Sequence, residues 1–428
     1  MKLILGFSIP LLFGNLFQQF YSMVDTMIVG RVLGTGPLAA VGSTGSITFL
    51  IIGFCLGLCS GFAIPVAQRF GSRDYKELRR FIGNAVWLCV GFGIVLTVLT
   101  VIFCRNILEL MGTPADIIDD AYAYLVVIFA GIPATFLYNM LAGIQRAIGD
   151  SRTPVVILVI ASIINIVLDI VLVVFIPMGV AGAAVATVAS QLIGGVVCLL
   201  YVSKHYEVLK MTREDFKINV PCIKRLLSMG LPMALQTSIT AIGSVILQAS
   251  VNSLGSTVVA SITAGSRLYM FFACAYDAMG VTMSTYSGQN IGARKIDRIG
   301  QGVKACNIVG IIYSVLALLI IVFLGKWMLL LFVDAGETAI INSAYWYLVC
   351  SGLFMIPLTF VNVLRLTIQG MGYSRLALFA GVFEMIARGG VGLFLVPLFG
   401  FNAACFSGPI AWILADSFLI PMYYHVIH

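Results

Sequence analysis

The sequence predicts an all-α polytopic membrane protein, with twelve transmembrane helices arranged as two pseudo-symmetric six-helix lobes. Three observations predict it. Sixty per cent of the 428 residues are hydrophobic and only 10% are charged, whereas a soluble domain carries roughly 25% charged residues to cover its surface. Apolar runs of about 20 residues or more, enough to cross a ~30 Å hydrocarbon layer, recur from end to end. Markers in the first half also return in order in the second.

Gly, Pro and charge clusters punctuate the runs into spans at about 3–32, 38–68, 81–104, 118–146, 153–176, 179–202, 226–253, 258–290, 300–324, 338–370, 375–397 and 401–427. Several exceed the length needed to cross, which implies tilt or projection beyond the hydrocarbon. The first run starts within a few residues of Met1 without a small-residue cleavage site, so it reads as a span and not a removable signal peptide. With the N-terminus in the cytoplasm, about 19 of the 25 Lys and Arg fall on that side, in segments such as QRFGSRDYKELRR (68–80) and ARKIDR (293–298). Arg31, Arg105 and Lys326 fall on the other. The expected placement is a multi-pass protein of the plasma (inner) membrane with both termini cytoplasmic. The net charge of +7 is then a topology signal split among short loops, not a nucleic-acid-binding face.

The repeat is carried by Gln68, Gly71 and Arg73, which return as Gln289, Gly292 and Arg294. Ile132-Pro133 returns as Ile356-Pro357, Ile144-Gln145 as Ile368-Gln369, and Ser151-Arg152 as Ser374-Arg375. Pro177, Gly179 and Ala183-Ala184 are echoed by Pro397, Gly400 and Ala403-Ala404. Residues 1–202 therefore form an N-lobe and residues 225–428 a C-lobe. Each has an even number of spans, which makes them parallel repeats with a cavity expected between them near the midplane. Residues 203–224 form the cytoplasmic linker, either a joint that lets the lobes rock or a plain solvated tether.

Ionisable groups at bilayer depth are costly unless paired or wet, so each is a functional candidate. In the first span Asn15, Gln18, Ser22 and Asp25 follow steps of 3, 4 and 3 and share a helical face. Asn165 and Asp169 stand one turn apart on the fifth span, and Thr187 lies on the sixth. Two carboxylates with amide and hydroxyl oxygens can hold a hard monovalent cation or carry a proton. No basic residue in the N-half spans is expected to neutralise them. Asn165 can alternatively serve as interhelical glue. In the C-lobe, Glu384 and Arg388 have salt-bridge spacing. Asp277, near Met279, Met283 and the aromatic run from Tyr269 to Phe272, lies in what is either an adaptable substrate lining or ordinary core.

Other chemistries lack their residues. The ten cysteines include no Cys-x-x-Cys pair and sit mostly within apolar runs, and His205, His425 and His428 lie outside the apolar runs. No Gly-rich phosphate loop and no catalytic constellation is present, so neither ATP hydrolysis within this chain nor an embedded enzyme is expected, and no cofactor. No span repeats as a symmetric pore ring, which argues against a passive channel.

Pro10, the stretch MVDTMIVGRVLG (23–34), the Gln-x-x-Gly-x-Arg turn of both halves and the NIVLD element of the fifth span together resemble the multidrug and toxic compound extrusion (MATE) family of secondary transporters, over essentially the whole chain. The resemblance implies an antiporter that exports amphipathic, often cationic, organic compounds in exchange for Na⁺ or H⁺ by alternating access. It is closest to the prokaryotic branch with coupling acids in the N-lobe. That branch implies a cation site of Asp25, Asn165, Asp169 and Thr187, with Tyr124 and Asn139 of the fourth span in the adjoining hydrogen-bond network and Pro10 bending the first span. LPMALQTSITAIGSVILQ (231–248) contains no acid, so the branch with a seventh-span acid fits less well. A lipid-linked saccharide flippase is the alternative, resting on Arg267, Arg365 and Arg388. The expected partners are small-molecule substrates and the lipid bilayer, and the expected state is a monomer.

Overall fold

In hydrocarbon a backbone must satisfy its own hydrogen bonds, and a continuous helix does so within one segment. The computed structural model describes residues 1–427, and His428 lies outside the described residues. Among the described residues ten helices are long and apolar enough to cross a membrane, and two further spans are pairs of helices bent by 46° and 54°. Twelve spans result. Large apolar side chains such as Phe13, Ile94, Phe175, Phe323 and Trp327 lie exposed on them, as surfaces solvated by lipid should.

Helix α1 (Lys2–Val32) leads into the short α2 (Thr35–Ser43), and α3 (Gly45–Gly71) begins after Thr44, so the second span starts later than the expected 38. α4 (Tyr75–Ile102) starts earlier than expected, because Asp74 caps it by accepting from the Glu77 amide at 3.2 Å and carries the helix through its charged first turns. α5 (Cys104–Leu110) precedes the bent fourth span, α6 (Ile118–Ala130) and α7 (Ile132–Ala147). Pro133 sits in the first turn of α7, where its missing N–H costs nothing. α8 (Arg152–Asp169) changes winding at its end into a π-helical turn over Ile170–Phe175, and α9 (Val180–His205) completes the first half.

The second half repeats this order. It comprises α10 (Val220–Asn252), α11 (Ser256–Gly292), α12 (Ile296–Leu329), the bent pair α13 (Thr338–Leu353) and α14 (Met355–Gly370), then α15 (Ser374–Gly390). A π-helical turn over Val391–Leu395, the short α16 (Val396–Phe399) and α17 (Phe401–Ile427) close it. Backbone conformation repeats too. Left-handed residues pair as Gly34 (φ 95°) with Gly255 (98°), Arg73 (59°) with Arg294 (57°), Gly149 (97°) with Gly372 (103°), and Gly179 (63°) with Gly400 (58°). Arg73 and Arg294 are the only non-glycine residues of positive φ among the described residues. Both close the Gln-x-x-Gly-x-Arg turn, so the duplicated motif encodes the same helix C-terminus twice.

The chain divides into two compact units. One is Phe13–Ala234, with Leu58, Phe62, Leu78, Leu125, Phe129 and Leu226 fully buried in its core. Gly57 and Gly61 of α3 press against Ala234 and Gly230 of α10, and a Cβ on Gly61 would stand 2.4 Å from the Gly230 Cα. This small-xxx-small pairing brings two helix backbones into contact without side chains between them. The expected linker, 203–224, belongs to this unit. Of its two 3₁₀ turns, Glu207–Leu209 packs on α9 and Arg213–Phe216 docks on α4. Trp87 Nε1 donates to the Phe216 carbonyl at 2.9 Å, Asn84 accepts from the Asn219 amide at 2.8 Å, and Arg79 lies 3.5 Å from Asp215.

The other unit is Met1–Leu12 with the described residues from Leu235 onward. Its core holds Tyr276, Met283, Ile299, Ile321, Met355 and Ile368, and Tyr276 pairs with Ser314 at 2.8 Å. Ser8 of α1 hydrogen-bonds Thr282 of α11 at 2.8 Å within it.

Candidate ion-coupling site

Asp25 reaches the candidate site from the C-terminal third of α1, and Asp169 from the last residue of α8, where the winding loosens to π. A π-helical turn leaves carbonyls unevenly spaced and often marks a functional position. Asp169 is completely buried and Asp25 half-buried. Their carboxyls face each other closely enough for a proton on one to be donated to the other.

Asn165 sits one turn before Asp169 and is 1% exposed. Its Nδ2 reaches toward Thr187 Oγ1 of α9 at 3.5 Å, the outer limit of a hydrogen bond, while Thr187 donates to the Ala183 carbonyl at 3.1 Å. Four buried oxygens here accept no hydrogen bond: Asp25 Oδ1, both oxygens of Asp169, and Asn165 Oδ1. A buried polar oxygen without a donor is costly, and a carboxylate more so. Among the described residues no basic side chain is paired with either acid. The oxygens therefore fit either a hard cation, which takes carboxylate, amide and hydroxyl ligands, or a proton shared by the acids.

Tyr124 of α6 packs with Val29 and Val173 around the pair and lies within electrostatic reach of both acids. Asn165 also forms part of the wall of a mixed polar and apolar cavity of about 100 Å³, to which Gln18 and Asn139 contribute. Asn139 Nδ2 donates to the Thr135 carbonyl at 2.8 Å. The structure thus brings Asp25, Asn165, Asp169, Thr187 and Tyr124 together and sets Gln18 and Asn139 beside them. Ser22 is exposed and its carbonyl accepts from Thr26. Asp277 and Met279 lie in the other compact unit, the first exposed and the second buried in the core.

Three features escape the sequence reading. Tyr21, one turn before Asp25, hydrogen-bonds Gln18 and senses both acids; its spacing was available, but an aromatic in an apolar run is inconspicuous. Thr135 donates to Gln191 Oε1 at 2.8 Å in the same cavity wall. Arg146 does lie in an N-half span, at the end of α7, although none was expected to be available there. Its neighbours are Tyr138, Cys59 and Cys198, not the acids.

The expected Glu384–Arg388 pair is present at 3.7 Å, but Arg365 binds Glu384 more closely, at 2.8 Å. Arg365 comes from a different helix, so no spacing along α15 announces it.

The MatE family profile matches the chain twice, over residues 10–171 and 232–393, one match in each structural repeat. The chain belongs to the MatE family. As a MATE transporter it has similar curated relatives along most of its length. The probable multidrug resistance protein YoeA of Bacillus subtilis is 32% identical over 340 residues, covering 78% of this chain and 73% of that one. An FAD transporter of Shewanella oneidensis is 26% identical, covering 70% and 67%. The multidrug export protein MepA of Staphylococcus aureus is 22% identical, covering 89% and 84%. Among solved structures, MATE in complex with MaL6 matches this transporter with a TM-score of 0.93 at 22% identity, covering 100% of this chain and 96% of that one. An outward-facing MATE transporter of the MOP superfamily matches with the same score, covering 100% and 95%. The likeness of these two structures establishes the MATE fold.

Proposed function

We propose that this MATE transporter exports amphipathic organic cations across the plasma membrane, with both termini in the cytoplasm, in exchange for Na⁺ or H⁺ by alternating access. The observation that carries the reading is the group of four unpartnered oxygens on Asp25, Asp169 and Asn165. Repulsion between adjacent carboxylates favours occupancy by a cation or a proton whenever water is excluded. Ion binding biases the transport equilibrium by its different affinity for the two access states. Relatives named for multidrug resistance and multidrug export support a drug substrate.

A flippase for anionic lipid-linked saccharide would need guanidiniums free to bind phosphate. Of the three arginines behind that alternative, Arg365 and Arg388 are instead engaged with Glu384, Asn362 and Ser244, while Arg267 of α11 is exposed. The deciding experiment is efflux of a cationic amphipathic dye from proteoliposomes under an imposed Na⁺ gradient or an imposed pH gradient, never both. One gradient should drive efflux and the other should not. Efflux indifferent to both would overturn the antiport reading.

A further inference from the structure

The second half contains a buried acid that the site around Asp25 does not use. Asp416 of α17 is 7% exposed, and its Oδ1 has no hydrogen-bond partner. The Arg365–Glu384–Arg388 cluster lies next to it. Both guanidiniums are already committed. Arg365 donates to Glu384 at 2.8 Å and to Asn362 Oδ1 at 3.2 Å, and Arg388 donates to Ser244 Oγ at 2.7 Å. The charged groups facing Asp416 are Glu384 of α15 and Arg365 of α14. The other elements packed on α17 are α11, whose Tyr269 stacks on Trp412, α12, whose Gly300 approaches Ile427, and also α13, the π-helical turn over Val391–Leu395 and α16. Of these, α11 brings Asp277, an exposed acid that also lies within electrostatic reach of Arg365, whereas α13, the π-helical turn and α16 bring only the neutral titratable side chains of Tyr345, Tyr347 and Cys350.

Three acids therefore share Arg365: the exposed Asp277, and the buried Glu384 and Asp416, which compete for it away from water. With Arg365 on Glu384, an ionised Asp416 would sit beside a second carboxylate with one oxygen lacking a donor, in a span where an unpaired charge is costly. A proton on Asp416 removes that repulsion. If Arg365 turned to Asp416, the proton would be released to water and Glu384 would keep Arg388, one turn away on its own helix. The first half has no equivalent: the match of Ala183-Ala184 with Ala403-Ala404 places Val196 opposite Asp416.

We propose that Asp416 is a proton-carrying site of the second half, protonated while Arg365 is closed on Glu384 and ionised when Arg365 leaves it. The proposal rests on the chain being a transporter but is independent of which ion the Asp25–Asp169 site takes.

The test is pH-difference infrared spectroscopy of the purified full-length protein, which detects the carbonyl stretch of a protonated carboxylic acid. Wild type should show a titrating band that is lost in Asp416→Asn, moved in frequency and midpoint in Asp416→Glu, and shifted in midpoint in Glu384→Gln. It should persist in Asp25→Asn, which separates this proposal from the proposed coupling site. In proteoliposomes, an efflux rate limited by this proton should change about tenfold per pH unit on its titrating limb and become flat in Asp416→Asn. A band unchanged in Asp416→Asn overturns the proposal. Should that variant not fold, a band in Asp416→Glu identical to wild type overturns it equally.

Discussion

Asp25 and Asp169 were legible because acids stand out in apolar helices, and the geometry now makes their expected behaviour specific. Asp25→Asn and Asp169→Asn keep the side-chain shape, so each variant should fold and lose gradient-driven efflux, measured at equal protein per vesicle. Thr187→Ala removes one neutral oxygen next to Asn165 and should weaken ion affinity by about 1 kcal/mol, roughly fivefold. Wild-type efflux in both Asp→Asn variants would move the coupling site elsewhere. A second residue makes a pH prediction outside the spans. Burial opposes the charge on Asp150, but hydrogen bonds from Thr153, Tyr206 and the Arg152 amide outweigh it and hold its pKa below the ordinary 3.8. A lowered folded pKa contributes stability that is present above the unfolded value and is lost as pH falls through the folded one. Asp150→Asn should therefore lower thermal stability at neutral pH and reduce the further loss seen on acidification below about pH 4. An unchanged acid limb in thermal unfolding would contradict this. The roles of Tyr21 and Arg365 were illegible for a physical reason: an aromatic belongs in lipid, and a partner on another helix leaves no periodic trace.

At the scale of elements, hydropathy located the spans but not the changes within them. The fourth and tenth spans read as continuous apolar runs, and the structure bends each just before Ile132-Pro133 or Ile356-Pro357. The fifth and eleventh spans loosen into π turns at equivalent places, a change of hydrogen-bond register that apolar composition does not report. Close helix contact is more legible, because it requires small residues at four-residue spacing. Gly57 and Gly61 opposite Gly230 and Ala234 meet that requirement. Gly61→Val would force α3 and α10 apart and should lower the melting temperature by several degrees, whereas Gly91→Ala, with nothing within 4 Å of the added carbon, should leave it unchanged or raise it, because Ala stabilises a helix by up to about 1 kcal/mol over Gly. Equal melting temperatures for the two variants in detergent would show that this backbone contact contributes little.

At the scale of the whole molecule, the duplicated turns explain why the repeat was visible in sequence: left-handed backbone tolerates few residues, so Gly and the turn motif persist where interior apolar residues interchange. The joint between the repeats was less visible. Charge and the lack of a repeat suit residues 203–224 to a rocking joint or a tether, yet they dock on α4 within one compact unit. The chain passes between the units inside α1, after Leu12, and inside α10, after Ala234. Each crossing lies two residues beyond a helix-internal proline, Pro10 in α1 and Pro232 in α10. Proline removes a backbone hydrogen bond and lowers the cost of bending at that turn. Any rearrangement of one unit against the other should therefore be absorbed at these prolines, while the docked 203–224 segment travels with its unit. Pro10→Ala with Pro232→Ala should slow ion-driven dye efflux several-fold and leave ion binding to the purified protein unchanged. A protease site inserted at 213–216 and cleaved after reconstitution supplies the opposing test. Efflux that fails on cleavage but proceeds at the wild-type rate in the double proline variant would return the joint to the linker.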